Sequence, residues 1–365
     1  MKKKRLVHII SSLKRGGAES LLVDLIKNLH TFDHQVIYFH DGPNRQRLQD
    51  IGISTYPVKG LFCLYDPFFL YQLYKLLKKL KPDTIHTALW AANFFGRFLA
   101  RYMNISFASV IHLGVHQDGF IRNILDALTF RFSGAVIAVS QEVAQSVYDR
   151  LWLNAKRISV IPNGINIPDV QREAQTQKIS RKQLNLAEDV FVIGSVGRFI
   201  PRKNYHLLLY VFARLKKIHS NIALILVGFG SLQGELQRLA KELNVDDSVR
   251  FIVGQAAYGY YPLFDCFVLS SLQEGISIAL LEAMCFSLPC ILTSDQNHEV
   301  ITNGKNGLIA PVNDEIRLSE ALQKIIEDSE LRKKFGSEAY QTLITRFNLE
   351  KMSVSYERVF NSLIK

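Results

Sequence analysis

The segment FVLSSLQEGISIALLEAMCFSLPCILTS, residues 267–294, decides how this chain folds. It opens with a short apolar, β-prone run that ends near Ser270, and a polar loop carrying Glu274 and Gly275 follows. A helix then starts near Ser277 or Ile278 and carries Glu282 before the next strand at Pro289. Strand, loop, helix and strand in this order form the repeating unit of a parallel, layered α/β fold. The orphan N–H groups and positive dipole end at such a helix start make an anion site suited to a diphosphate. Glu274 in the loop can accept hydrogen bonds from sugar hydroxyls. Glu282, inside the helix, has two acceptor oxygens for the two hydroxyls of a ribose. By spacing alone two glutamates at these positions would more often be solvated, so the rest of the chain has to carry the reading.

Working outward, similar apolar runs recur and alternate with longer segments of helical period. In the first half they cover residues 5–10, 34–40, 53–58, 84–89, 107–112, 135–140 and 158–162; in the second, 190–196, 222–227, 249–253, 266–270, 289–293 and 308–312. Between the two sets, the polar stretch VQREAQTQKISRKQ has the composition of a linker running into a surface helix. The expected architecture is therefore α/β, with two Rossmann-like domains at 1–170 and 171–347 facing a central cleft. An amphipathic helix at 348–365 follows the last strand and is free to return to the N-terminal domain.

At 365 residues and 48% hydrophobic content the chain has material for two to three globular domains, which excludes collagen-like and disordered classes. The four cysteines, Cys63, Cys266, Cys285 and Cys290, show no zinc or disulfide-scaffold spacing and are expected reduced and buried. No apolar stretch reaches the roughly 20 residues of a membrane span. The start MKKKRLVHIISSLKRGG reads as a first strand rather than a signal peptide, which implies a cytoplasmic protein. The net charge of +11 is uneven: residues 1–170 carry +9 and the remainder +2. Such an excess attracts nucleic acid, anionic lipid or phosphate-bearing substrates alike.

In residues 267–294, Ser271, Glu274, Gly275, Glu282 and Ala283 follow one another in an order that closely resembles the E-x7-E signature of retaining glycosyltransferases of the GT-B fold, family 4. Ser287 stands where that family usually has Gly, which is expected to change a helix end rather than the chemistry. GGAES at 16–20 resembles the family's Gly-Gly-x-Glu turn, VGRFIPRKN at 196–204 its V-G-R-x(4)-K element, and VIHLG at 110–114 the strand end bearing its active-site histidine. The resemblance implies donor contacts from Gly16, Gly17, Arg198, Lys203, Gly228, Glu274, Gly275, Ile276, Ser277, Ile278 and Glu282, with Glu19 on the acceptor side. It implies catalytic roles for His112, Arg198, Lys203 and Glu274; His86 and His116 compete with His112, and Arg202 with Lys203. Glu299, in EVITNGKNGLIAP, is a further candidate at the edge of the cleft.

LVGFGS at 226–231 is a weak dinucleotide signal, because its glycines do not give G-x-G-x-x-G and the next strand does not end in an acidic residue. The stretch LFCLYDPFFLYQLYKLLKKLK, residues 61–81, is more informative. It combines Phe68, Phe69 and Tyr71 with a leucine face and with Lys75, Lys78, Lys79 and Lys81, a pattern expected to touch acceptor or membrane. The expected activity is transfer of a sugar, with retention, from a nucleotide diphosphate sugar, a UDP-sugar ahead of a GDP-sugar, to a saccharide acceptor. That acceptor is expected to be lipid-linked, in bacterial surface polysaccharide synthesis at the inner face of the cytoplasmic membrane. No D-x-D pair anchors a metal, and neither a metal nor any cofactor beyond the sugar-nucleotide substrate is expected. A GT-B sugar-nucleotide epimerase and a basic nucleic-acid-binding protein are the alternatives; the absence of an RRM, KH or zinc-finger pattern weighs against the second.

Overall fold

The computed structural model describes residues 3–60, 67–112, 120–130, 134–151, 158–296 and 298–364. Cys63, His116 and residues 61–66 of the aromatic segment therefore lie outside the described residues. The chain forms two compact units: Met1–Gly164 with Leu349–Lys365, and Ile165–Asn348.

The first unit runs β1 (Lys4–Ser12), α1 (Gly17–Asn28), β2 (Phe32–His40), α2 (Asn44–Asp50), β3 (Ser54–Pro57), α3 (Pro67–Leu80) and β4 (Thr84–Ala88). It continues through α4 (Trp90–Tyr102), β5 (Ser106–Ile111), α5 (Phe120–Phe130), β6 (Ala135–Ala138), α6 (Gln141–Leu151) and β7 (Ile158–Val160). These strands form one parallel sheet in the order β3-β2-β1-β4-β5-β6-β7. The central strands have buried apolar middles, because helices cover both faces of such a sheet, whereas the edge strand β3 (STYP) has no buried residue. The last helix, α13 (Leu349–Leu363), belongs to this unit and packs on α1 and β5. Its Phe360 is fully buried, with its ring 6.0 Å from that of Phe32.

The second unit holds α7 (Ile167–Thr176), β8 (Phe191–Val196), α8 (Tyr205–Lys216), β9 (Ile222–Gly228), α9 (Gln233–Glu242), β10 (Val249–Val253) and β11 (Cys266–Leu269). It is completed by α10 (Ile278–Cys285), β12 (Cys290–Thr293), β13 (Leu308–Ala310), α11 (Glu315–Glu327) and α12 (Ser329–Arg346). Its parallel sheet has the order β10-β9-β8-β11-β12-β13. Both sheets share one winding: the chain moves outward in one direction, returns to the middle, and continues the other way. Cys266, Cys285 and Cys290 are buried free thiols.

The boundary falls between Gly164 and Ile165, earlier than the composition indicates. The polar stretch taken as the start of a linker instead begins inside α7, capped by the Asn166 side chain accepting from the Asp169 amide. Val170 and Ala174, one turn apart, turn inward, and the helix packs on α10. Few apolar residues suffice to dock a helix when they share one stripe, which average composition does not register.

Candidate active site

In an open parallel sheet, ligands bind beyond the carboxyl ends of the strands where the winding reverses. In the second unit that point lies between β8 and β11. The segment after β8 passes Gly197 and Arg198 and makes a single 3₁₀ turn, Pro201–Lys203, closed by Asn204 at φ 50°. Gly228, at the end of β9, lies so close to this segment that a Cβ there would fall 1.9 Å from the Gly197 carbonyl oxygen. A side chain would push the two strand ends apart.

The loops after β8 and β11 are tied together. The Leu272 amide donates to the Arg202 carbonyl at 2.8 Å, Arg202 Nη1 to the Gln273 carbonyl at 3.0 Å, and Ser270 Oγ to the Lys203 carbonyl at 3.0 Å. This stitching brings Lys203 Nζ to 2.6 Å and Arg202 Nη1 to 3.2 Å from Oε1 of Glu274, which also accepts from Ser271 Oγ at 3.0 Å. All three charged side chains are at most 17% exposed. Burial by itself would raise the Glu274 carboxyl, but Lys203, then Arg202, and the hydrogen bonds from Lys203 and Ser271 hold it below the ordinary carboxylate value.

Next to this cluster α10 begins at Ser277, which is buried and gives no side-chain bond to the first turn. Gly275 and Ile276 are buried on the approach to it, and Ile278 opens the helix. The first-turn amides are thus left to other acceptors than their own cap. Further along α10, Glu282 Oε2 accepts from the Tyr261 hydroxyl at 2.6 Å. Arg198 is exposed and, among the described residues, makes no ion pair; it does not join Lys203 on Glu274.

Two members of this constellation, Tyr261 and His298, escaped the sequence reading, and a third was given another part. Arg202, treated as a competitor of Lys203, shares its carboxylate instead. Tyr261 lies 21 residues before Glu282, at no spacing that would pair them. His298 has Nδ1 accepting from the Val300 and Ile301 amides at 3.2 Å, and burial, partly opposed by the Glu274 charge, lowers it to about 4. The only sequence signal for His298 was its position beside Glu299.

The first unit carries the other candidates at the carboxyl ends of its strands. Gly16 caps α1 in extended backbone, and a Cβ there would fall 2.2 Å from Glu19 Oε2, so the Glu19 carboxylate folds over it. Gly17 is exposed. His112 directly follows β5, and burial lowers it to about 4, so the ring is neutral near pH 7. Its competitor His86 is buried in mid-strand, with Nδ1 2.9 Å from Nδ1 of His8.

The aromatic, basic helix α3 divides differently from the sequence expectation. Phe69 is fully buried, its ring 4.8 Å from Phe39 and 5.0 Å from Phe95. It therefore cannot touch acceptor or membrane. It shares a stripe with Leu73, Leu77 and Leu80, all buried, because these positions follow one another at three- and four-residue steps. Phe68 and Tyr71 are 67% and 54% exposed, beside exposed Lys75, Lys78 and Lys79, with Lys81 just past the helix end. Across from them, Tyr102 of α4 meets Tyr74 at 5.9 Å between rings and is itself exposed, as is Phe98.

Residues 176–342 match the family described as "Glycosyl transferases group 1", and residues 15–168 match "Glycosyltransferase Family 4". The chain is 26% identical over 368 residues to the Escherichia coli UDP-Gal:alpha-D-GlcNAc-diphosphoundecaprenol alpha-1,3-galactosyltransferase, covering 95% of this chain and 92% of that protein. It is 21% identical to the Staphylococcus aureus capsular polysaccharide biosynthesis glycosyltransferase CapM, covering 100% of this chain and 99% of that one. Among solved structures, Anabaena HepE in complex with UDP and glucose superposes with a TM-score of 0.85 at 21% identity, covering 99% and 100% of the two chains. WaaG, a glycosyltransferase involved in lipopolysaccharide biosynthesis, does so with 0.73 at 15%, covering 97% and 98%. Two doubly wound parallel sheets and the two family matches together identify the chain as a retaining-type glycosyltransferase belonging to group 1, family 4, with the GT-B fold.

Proposed function

We propose that this glycosyltransferase takes a sugar from a UDP-sugar and adds it, with retention, to a lipid-linked saccharide during assembly of a bacterial surface polysaccharide. The observation that carries the reading is the Lys203–Glu274–Arg202 cluster beside the start of α10. Cations and free amides at one point suit a diphosphate, and a carboxylate among them suits sugar hydroxyls. The E. coli relative is named for a UDP-sugar donor and a diphosphoundecaprenol-linked acceptor, CapM for capsular polysaccharide, and HepE binds UDP.

In this mechanism negative charge grows on the diphosphate as the glycosidic bond breaks. Lys203, Arg198 and the α10 amides stabilise that charge, which lowers the barrier. The departing phosphate oxygen takes the proton of the acceptor hydroxyl while that hydroxyl oxygen bonds to the anomeric carbon on the same face. Glu274 holds the donor sugar and Glu282 the ribose, and His112, a neutral imidazole, is suited to hydrogen-bond a sugar hydroxyl. The exposed Phe68 and Tyr71 with Lys75, Lys78 and Lys79 provide reversible contact with an anionic bilayer where a lipid-linked acceptor resides. No helix among the described residues is long and apolar enough to cross a membrane.

The test is a thermal-shift screen with UDP, GDP, ADP and their sugars, followed by incubation of the stabilising donor with a polyprenyl-diphosphate saccharide. Stabilisation by UDP compounds and a longer lipid-linked product are expected. Stabilisation by GDP compounds instead would overturn the donor assignment. An altered sugar nucleotide formed without acceptor would point to an epimerase.

A further inference from the structure

Tyr261 sits on the short 3₁₀ turn Tyr261–Leu263 that leads into β11, and its side chain is completely buried. Its ring is clamped on several sides. It stacks on Phe286 at 5.6 Å with the planes 10° apart, and it lies 5.7 Å from Phe264 and 6.1 Å from Phe267. The hydroxyl at the end of this rigid ring has two acceptors in reach, Glu282 Oε2 at 2.6 Å and the Ala279 carbonyl at 3.3 Å. The carboxylate is nearer and charged, so it takes the proton.

We infer that Tyr261 is the positioning residue for Glu282, holding one carboxylate oxygen so that the group meets the vicinal hydroxyls of the donor's ribose in a single orientation. This rests on the reading of Glu282 as the ribose ligand. A glutamate on a helix has three side-chain torsions to freeze before it can grip a diol, and freezing them at the moment of binding weakens affinity. A buried phenol that takes up one of the roughly four acceptor positions of the carboxylate freezes them beforehand and leaves acceptor capacity for the diol. Burial, reinforced by the neighbouring Glu282 charge, raises the Tyr261 phenol well above its ordinary value, so it stays a donor throughout the working pH range. The stack on Phe286 adds a second link, because Phe286 closes the same helix that carries Glu282. The distance from phenol to carboxylate is therefore fixed by the packing of the ring on the end of this helix as well as by the hydrogen bond.

The experiment is isothermal titration of UDP and of 2′,3′-dideoxyuridine diphosphate into the full chain, as wild type, Tyr261→Phe, Glu282→Gln and the double variant. Tyr261→Phe removes one oxygen and keeps the ring volume, so the stack on Phe286 and the fold persist, which circular dichroism checks. Tyr261→Phe should weaken UDP roughly tenfold, raise the donor KM by a similar factor with kcat nearly unchanged, and leave the dideoxy compound unaffected. In the Glu282→Gln background Tyr261→Phe should add little, since the two groups act as one unit. Equal loss of UDP and its dideoxy counterpart, or additive losses in the double variant, would make Tyr261 a packing residue and overturn the inference. If Glu282→Gln binds UDP as the wild type does, the ribose assignment falls; if the wild type binds no UDP, the donor reading falls, and the inference with it in either case.

Discussion

Lys203 Nζ lies 2.6 Å from Oε1 of Glu274, and Arg202 Nη1 lies 3.2 Å from the same oxygen, so a buried and a half-buried cation share a single carboxylate. Neither cation is cancelled completely, and the cluster keeps one net positive charge at the strand ends. Lys203→Ala should then lower kcat by roughly a hundredfold, beyond any rise in donor KM, and Arg198→Ala should do likewise. With Lys203 removed, burial outweighs the remaining Arg202, Glu274 titrates at higher pH, and the acid limb of the kcat/KM profile moves upward. Steady-state kinetics across pH reads both effects. An unchanged kcat with a raised KM would reduce these residues to ground-state binders. Activity should also persist in EDTA; loss of activity restored by Mg²⁺ would show that a metal shares the work.

The exposed half of α3 leads to a lipid-binding prediction. Each Lys near an anionic surface contributes about 1 kcal/mol, and exposed charges are screened over roughly 8 Å at physiological salt. The chain should sediment with phosphatidylglycerol liposomes, less so as salt rises, and only weakly with neutral ones. Changing Lys75, Lys78, Lys79 and Lys81 to Glu should abolish the salt-sensitive part. Changing Phe68 and Tyr71 to Ser should remove the salt-resistant remainder, whereas Phe69→Ser should cost stability instead, since Phe69 is in the core. Equal pelleting of wild type and Glu variant would leave the helix an ordinary solvated face.

A line of buried histidines makes stability depend on pH. His34 Nε2 meets the Leu29 carbonyl, which only accepts, so that nitrogen carries the proton and Nδ1 accepts from His8 Nε2 at 2.9 Å. His8 Nδ1 then accepts from His86 Nδ1 at 2.9 Å, which fixes three neutral tautomers in sequence. Burial lowers His8 well below its ordinary value and lowers His86 to about 3. As the pH falls below about 6.5, the unfolded chain takes up protons that the folded chain refuses, so stability decreases down to the folded values. His86 should remove on the order of 1 kcal/mol by pH 5.5, and His8 should act in the same direction. Urea unfolding at pH 7.5, 6.5 and 5.5 should show that decline; a flat profile would mean that the folded histidines accept protons.

Ser287 follows α10 at φ 53°, in the left-handed region where a side chain crowds the backbone and glycine does not. Ser287→Gly should therefore raise stability by about 0.5–1 kcal/mol with no effect on kcat. Gly336 of α12 is the counterpart, because a Cβ there would fall 2.0 Å from the Ser287 carbonyl oxygen, and Gly336→Ala should destabilise. Thermal unfolding of the two variants checks the pair; a lower melting temperature for Ser287→Gly would count against the strain.

The central strands of the two sheets were legible as apolar runs, because a parallel strand covered on both faces is apolar over most of its length, and that property is written locally. The loop and helix carrying Glu274 and Glu282 were legible for the same reason, since strand end, turn and helix start are set by neighbours in the chain. Pairings between distant residues were not. Arg202 joins Lys203 on Glu274, Tyr261 reaches Glu282, and His8, His34 and His86 meet from three strands only after the sheet has wound and the loops have been stitched together. The adjacent residues Phe68 and Phe69 show the same division: local composition made both aromatic, but the direction in which the helix faces its sheet exposed one and buried the other. Sequence alone determined the elements and the layered α/β class, because short-range sterics and apolar patterning dictate them. Tertiary structure decided which charges and hydroxyls meet, because those contacts depend on packing between segments that no local pattern links.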